Sequence, residues 1–403
     1  MEISKEQQIL LGLLKENMNG SSGILPETLL RGADWNAVLT EAVQQSVVLQ
    51  AFDAVAAYRS RLPAEVYQAW FQKSMRVMQS NLRVQRAEQA LVSLLAEHGY
   101  PYVILKGSAA AAYYPRPDLR AMGDVDFLIR SGQKDEIGAL LEASGYENCH
   151  HDNRCHSVYR KSGAVLEMHV EPAGIPLNPL GDKLRTRLAA SVFDRCCLSS
   201  IGSLVPDPSD HGLILLLHMQ HHILSKGLGL RHMCDWAAFV QKTKGDAFWS
   251  ESLLPFLKEI GLFHFAGVMT AFAAAYFGIP CPQWANAGPS AVEAVLGDIL
   301  ASGNFGRKER TRAKAGTMIS YDDENGLKHG VVWNLYHTLH RATSNRYPCV
   351  AGHPLRHFFA DVFYALRYCV LVLCGKRESV VEMFPHVLAR KSVYEQLRIF
   401  ETE

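Results

Sequence analysis

Asp124 and Asp126 lie two apart in the run GDVDFLIR, and Glu167 lies two before His169 in VLEMHVEP. In an extended strand alternate side chains share a face, so the two aspartates point one way while Val125, Phe127 and Ile129 point the other. The same period puts Glu167, His169 and Glu171 on one face of a later strand, with Leu166, Met168 and Val170 behind them. Carboxylates held side by side repel one another unless a cation neutralises them, and hard divalent ions take carboxylate oxygens readily. Three acids on the polar faces of neighbouring strands are a ligand set for two-metal phosphoryl transfer.

Gly107-Ser108 offers the complementary half. A glycine at a strand-to-helix turn lets backbone come close to a phosphate, and a helix N-terminus behind it favours negative charge. Ser108 can add a hydrogen bond, and Lys106 and Arg120 are nearby cations able to hold a triphosphate. A D-x-D pair alone is more often surface charge, and a Gly-Ser pair after a strand is a weaker signal still. The ordered combination of strand, KGS, helix, DVD and a later strand acid is what carries specificity.

The elements that must position these residues are legible in outline. Residues 1–97 read as helical, from Ile9, Leu10, Leu13 and Leu14 and again from Val84, Ala87, Ala90, Leu91 and Leu94 at helical spacing. The character changes at Gly99-Tyr100-Pro101. Strands are predicted at Tyr102–Leu105, Asp124–Arg130, Ser157–Lys161 and Ala164–Val170, the last two joined by a tight turn at Ser162-Gly163. Helical patterns at Ala109–Ala112 and residues 133–143 complete the order β-α-β-α-β-β. From Asp207 onward the chain reads as helical again, with Ser302 to Glu324 expected to be a polar, basic loop or linker. The fold class is therefore α+β: a nucleotide-handling core with a small mixed sheet (98–204), a helical segment before it (1–97), a helical substrate-side domain after it (205–300) and a C-terminal helical region (301–403).

With 41 Lys+Arg against 40 Asp+Glu, the 403-residue chain lacks the electrostatic footprint of a dedicated nucleic-acid binder. Nine cysteines without a CxxC pair suit a reducing compartment, with the thiols expected to be buried. The beginning of the chain lacks the long apolar core of a secretory signal, and the apolar stretch Val362 to Cys374 is broken by Arg367 and too short to span a bilayer. A cytoplasmic location and no membrane partner are expected.

The run LKGSAAAAYYPRPDLRAMGDVDFLIR, with the later Glu167-x-His169 pair, resembles the signature of the uncharacterised nucleotidyltransferase family of bacteria, also called nucleotidyltransferase family 5. That family falls in the DNA-polymerase-β-like superfamily, whose pattern is a Gly-Ser turn, a D-x-D pair and a third carboxylate on a following strand. The phrases DHGLILLLHMQHH and LRHMCDWA resemble the family's His-bearing helix and its following Leu-Arg and aspartate, at His218, His222, Arg231 and Asp235. The likeness is specific from about Tyr102 to Val170 and moderate from 207 to 240. Residues 109–123 make a longer gap before Asp124 than most of the superfamily has, so the Tyr-Pro-Arg-Pro insert is expected to shape the site.

The resemblance implies a Mg²⁺-dependent enzyme, with Mn²⁺ as an alternative, that moves a nucleoside monophosphate from an NTP to an acceptor. Asp124, Asp126 and Glu167 are the implied metal-binding and catalytic residues. Lys106, Gly107, Ser108 and Arg120 are the implied nucleotide-binding residues, and His169, His218, His222, Arg231 and Asp235 candidate substrate contacts. The neutral charge balance favours a small-molecule or protein side-chain acceptor over a polynucleotide. Two alternatives stand beside this: a toxin-like transferase acting on tRNA or protein, and a non-catalytic nucleotide-binding sensor.

Other features have plainer readings. His218 and His222 share a helix face, but their apolar neighbours favour a structural role over substrate contact, and substrate contact over a zinc site. Arg231 and Asp235 have the spacing of a helical salt bridge. The Cys149–His156 cluster lacks paired zinc-knuckle spacing and reads as a solvated loop. The basic run 307–314 reads as a solvated linker rather than an RNA contact, because Glu309 interrupts it and no aromatic residue interleaves.

Overall fold

The computed structural model describes residues 3–149, 156–176, 178–243, 245, 247–316, 331–350, 352–375 and 379–402. The body of the Cys149–His156 cluster and residues 317–324 of the expected linker lie outside these.

The central sheet has five strands: β1 (Tyr102–Ile104), β2 (Val125–Ile129), β3 (Glu147–Asn148), β4 (His156–Lys161) and β5 (Ala164–His169). Their spatial order is β1-β2-β5-β4-β3. β2 runs parallel to β5 and every other neighbouring pair is antiparallel, so the sheet is mixed. The helix Lys134–Ala143 carries the chain from β2 to β3. β4 and β5 form a hairpin whose turn, Ser162-Gly163, has both residues at positive φ (50° and 76°), the twist-matched two-residue turn. A second, two-stranded sheet pairs β6 (Cys197–Leu198) with β7 (Leu204–Val205).

Period-two alternation sorts the sheet into two faces. Tyr102, Ile104, Val125, Phe127, Ile129, Leu166 and Met168 pack with Leu91 and Leu95 of the long helix Ala64–Glu97 and with Ile137 and Leu141. On the opposite face Val103, Leu105 and Leu128 join a larger core built with Ile9, Leu213, Trp236, Phe239 and Phe272. The sheet is thus an apolar layer on one side, and on the other a mixture of apolar residues and the acids of β2 and β5.

The helices Pro208–Leu224 and Leu230–Lys242 cover that mixed face. The first begins where Asp207 accepts the backbone N–H groups of Ser209 and Asp210 and Pro208 occupies the first turn. Val331–Arg346, Pro354–Leu373 and Val380–Leu397 follow. Among the described residues no helix is long and apolar enough to cross a membrane.

Two expectations are corrected. Part of the anticipated linker is helical (Arg310–Ala315), and three of its cations have partners within the protein. Arg312 donates to Asp298 Oδ1 at 2.8 Å, Arg307 to the Val43 carbonyl at 3.0 Å, and Lys308 pairs with Glu41. Asp298 is buried and also binds the buried Arg390, so Arg312 and Lys308 neutralise interior acids, while Arg307 is exposed. The cysteines differ too: of the eight described, Cys197, Cys281, Cys349, Cys369 and Cys374 are exposed and only Cys234 is buried. Apolar patterning places a helix but leaves small side chains on either face.

Candidate active site

The parallel pairing of β2 with β5 sets Asp126 directly opposite Glu167, and Leu128 opposite His169. Asp124 precedes β2, at the end of the loop that Asn81 of the long helix holds. The Asn81 amide donates to the Arg120 carbonyl at 2.8 Å and its oxygen accepts the Met122 N–H at 2.8 Å. Asp124, Asp126 and Glu167 therefore line one cavity of about 280 Å³, with Lys106, Gly107, Arg120, Met122, Gly123, His218, His222, Lys226, Arg231 and Phe305.

Gly107 sits at φ +65°, ψ −112°, a conformation that a side chain would strain, and its missing Cβ keeps backbone at the cavity wall. The helix after it has only four residues, Ser108–Ala111. Ser108 does not reach the cavity. Its hydroxyl donates to Glu88 Oε1 at 2.7 Å, beside Ser203 at 2.6 Å, because burial makes that carboxylate demand donors. Burial raises the Glu88 pKa, and the two hydroxyls oppose the rise. The expected Ser108–phosphate contact is absent from this geometry.

Lys106 reaches back onto the acids, with Nζ at 2.6 Å from Asp126 Oδ1. His169 Nε2 lies 3.0 Å from the same oxygen and 3.6 Å from Glu167 Oε2. His169 is buried and is not among the residues that line the cavity. Burial pushes Asp126 up, but Lys106 and His169 outweigh it and hold the carboxyl well below its usual range. At Asp124 the balance is reversed: burial, then the Asp126 charge, push it up to about 6 against the pull of Lys106 and Arg231.

Arg120 and Asp235 were expected at the nucleotide and at the substrate. Arg120 lines the cavity, but its guanidinium is clamped by Asp235 through two 2.7 Å bonds, and Tyr114 Oη donates to Asp235 Oδ1 at 2.6 Å. Asp235 is therefore spent on the buried Arg120 and on the tyrosine of the insert. Among the described residues no Arg231–Asp235 salt bridge forms. Arg231 instead lies over the Phe305 ring, 5.4 Å from its centroid, and donates to the Ala121 carbonyl at 3.4 Å.

His218 and His222 line the cavity with their rings 4.3 Å apart, and His232 joins them. Burial holds all three imidazoles well below their usual range; Lys106 adds to this at His218, and Arg231 at His232. Of the three, His218 and His222 are walls of the cavity. His232 Nδ1 accepts the Gly229 N–H at 3.3 Å, which leaves the ring proton on Nε2.

Lys226 and Phe305 were missed. Lys226 lies in Ser-Lys-Gly-Leu-Gly between the two covering helices, a glycine-rich composition that could have flagged a ligand loop. Phe305 lies in Gly-Asn-Phe-Gly and adopts φ +57°, rare for a bulky residue, which puts its ring at the cavity.

The model of a family described as uncharacterised nucleotidyltransferase matches residues 31–278, which hold every cavity-lining residue except Phe305. No curated protein and no solved structure matches the chain. The match spans well over half of the 403 residues. The chain belongs to the uncharacterised nucleotidyltransferase family, and the activity this supports is nucleotidyl transfer in general.

Proposed function

We propose that the chain is a polymerase-β-like nucleotidyltransferase that moves a nucleoside monophosphate from an NTP to a small-molecule or protein side-chain acceptor. The observation that carries this is the convergence of Asp124, Asp126 and Glu167 from two parallel strands on one cavity whose other walls bear Lys226 and Arg231. Its volume of about 280 Å³ is at the small end of small-molecule sites, which favours a compact acceptor over a polynucleotide.

The carboxylates fit divalent magnesium. Asp124 is pushed up to about 6 beside a second buried acid, a strain that a cation relieves, and Lys106 already supplies Asp126 with a positive partner. Asp124, Asp126 and Glu167 would hold the ions, which supply charge neutralisation to the triphosphate and the acceptor oxygen. Gly107 brings backbone to the phosphates, and Lys226 and Arg231 pair with their charge. His169 keeps Asp126 and Glu167 in register through its Nε2. The acceptor oxygen attacks the α-phosphorus as its proton passes to Glu167. The bond from the α-phosphorus to the bridging oxygen breaks, and pyrophosphate leaves with the electron pair.

The test uses NTPs labelled at the α-phosphate, with Mg²⁺ and three acceptor pools: small metabolites, protein and total tRNA. Label should pass to a small molecule or protein with the wild-type chain and not with Asp126→Asn. Label in tRNA alone would overturn the acceptor class, and no label in any pool would overturn the enzyme reading.

A further inference from the structure

We propose that His340, His357 and Asp361 form a binding site for one divalent transition-metal ion of the zinc class. The site lies in the C-terminal helical hairpin, outside the residues that match the family.

His357 and Asp361 are one turn apart on Pro354–Leu373, and His340 faces them from Val331–Arg346. Both imidazoles turn Nδ1 to the same carboxylate oxygen: His340 Nδ1 lies 2.8 Å from Asp361 Oδ2 and His357 Nδ1 lies 3.2 Å from it. The ring centroids are 3.6 Å apart, and the three ligand atoms lie within 4.8 Å of one another.

Ser344 Oγ lies 3.0 Å from the His340 carbonyl, one helical turn back, and 2.6 Å from His357 Nε2. In the tautomer whose Nε2–H donates to Ser344, the His357 lone pair stands at Nδ1, 3.2 Å from the Asp361 carboxylate oxygen. A metal ion shared by the two Nδ1 atoms and Oδ2 uses that lone pair. The Nε2–H···Ser344 bond is the outer contact that metal-bound histidines make, in which the second ring nitrogen donates to a neighbouring oxygen.

Two imidazoles and one carboxylate suit zinc and its neighbours better than magnesium, which takes oxygen ligands. The site is separate from the Asp124–Asp126–Glu167 cavity in chemistry as well as place. His357 and Asp361 are buried while the His340 side chain is 40% exposed, so three protein ligands leave an open position for water on the His340 side.

The test is a Co²⁺ titration of the chelator-treated full chain, followed by visible absorption and by metal content per chain. Wild type should bind one more Co²⁺ than Asp361→Asn, with a ligand-field spectrum that His340→Gln also removes. Ser344→Ala should keep the site but weaken it roughly 10- to 100-fold. His340→Gln changes a half-exposed side chain and serves where Asp361→Asn fails to fold. Equal Co²⁺ content and identical spectra for wild type and a folded His340→Gln would overturn the proposal and leave a hydrogen-bonded, metal-free triad.

Discussion

Asp124 and Asp126 are two residues apart and have opposite acid-base character. Lys106 and His169 stabilise the charge on Asp126, whereas Asp124 is buried beside that charge and is pushed up to about 6. Its folded value lies above the 3.8 of an unperturbed carboxyl, so the metal-free native state holds a proton that the unfolded chain releases. The stability from this group is full below pH 3.8 and is lost as the pH rises through about 6. Denaturant unfolding of metal-free protein over that window should show the loss, and Asp124→Asn should flatten it. Asp126→Asn strands Lys106 and should cost stability, and in a folded sample it should lower transfer by on the order of 10²–10³-fold, the scale of losing one preorganised electrostatic partner; a rate within a few-fold of wild type would contradict the role. Ser108→Ala should act on stability instead of binding. With one of its two hydroxyl donors gone, Glu88 is left less satisfied, and a loss of about 1–3 kcal/mol in chemical unfolding is expected with KM for the NTP unchanged.

Secondary-structure elements were legible where period and punctuation agree. The alternation in GDVDFLIR and AVLEMH gives β2 and β5 with their acidic and apolar faces, and Ser162-Gly163 gives the hairpin turn. Side-chain direction was less legible, because it depends on partners far away in the chain. Ser108 turns from the cavity to reach Glu88, twenty residues earlier, and Arg120 is clamped by Asp235 of the covering helix. Phe305 and Lys226 were missed since loops carry no period, and only tertiary packing brings them to the acids. The buried Arg120–Asp235 pair shows how the covering helix is fixed to the loop before β2. Both residues are almost fully buried, so Asp235→Asn strands a guanidinium without its counter-charge. A loss of about 3–5 kcal/mol in thermal or denaturant unfolding is expected. A loss under 1 kcal/mol would mean that the pair is solvated and does not anchor that helix.

Across the whole molecule positive and negative charges nearly cancel, yet Lys106, Arg120, Lys226 and Arg231 gather around three carboxylates at one cavity. Short motifs in the sequence point to the acids and to Lys106, Arg120 and Arg231, though not to Lys226, and the family match extends over both the sheet and the helices that roof it. The aromatic wall from Phe305 lies outside that match. The most direct measurement is thermal stability of the pure chain with each NTP, with and without Mg²⁺. A donor site built on Asp124, Asp126 and Glu167 predicts an upward shift that needs both the metal and an NTP and is lost in Asp124→Asn. No shift with any NTP, or one that is independent of Mg²⁺ and survives Asp124→Asn, would contradict it.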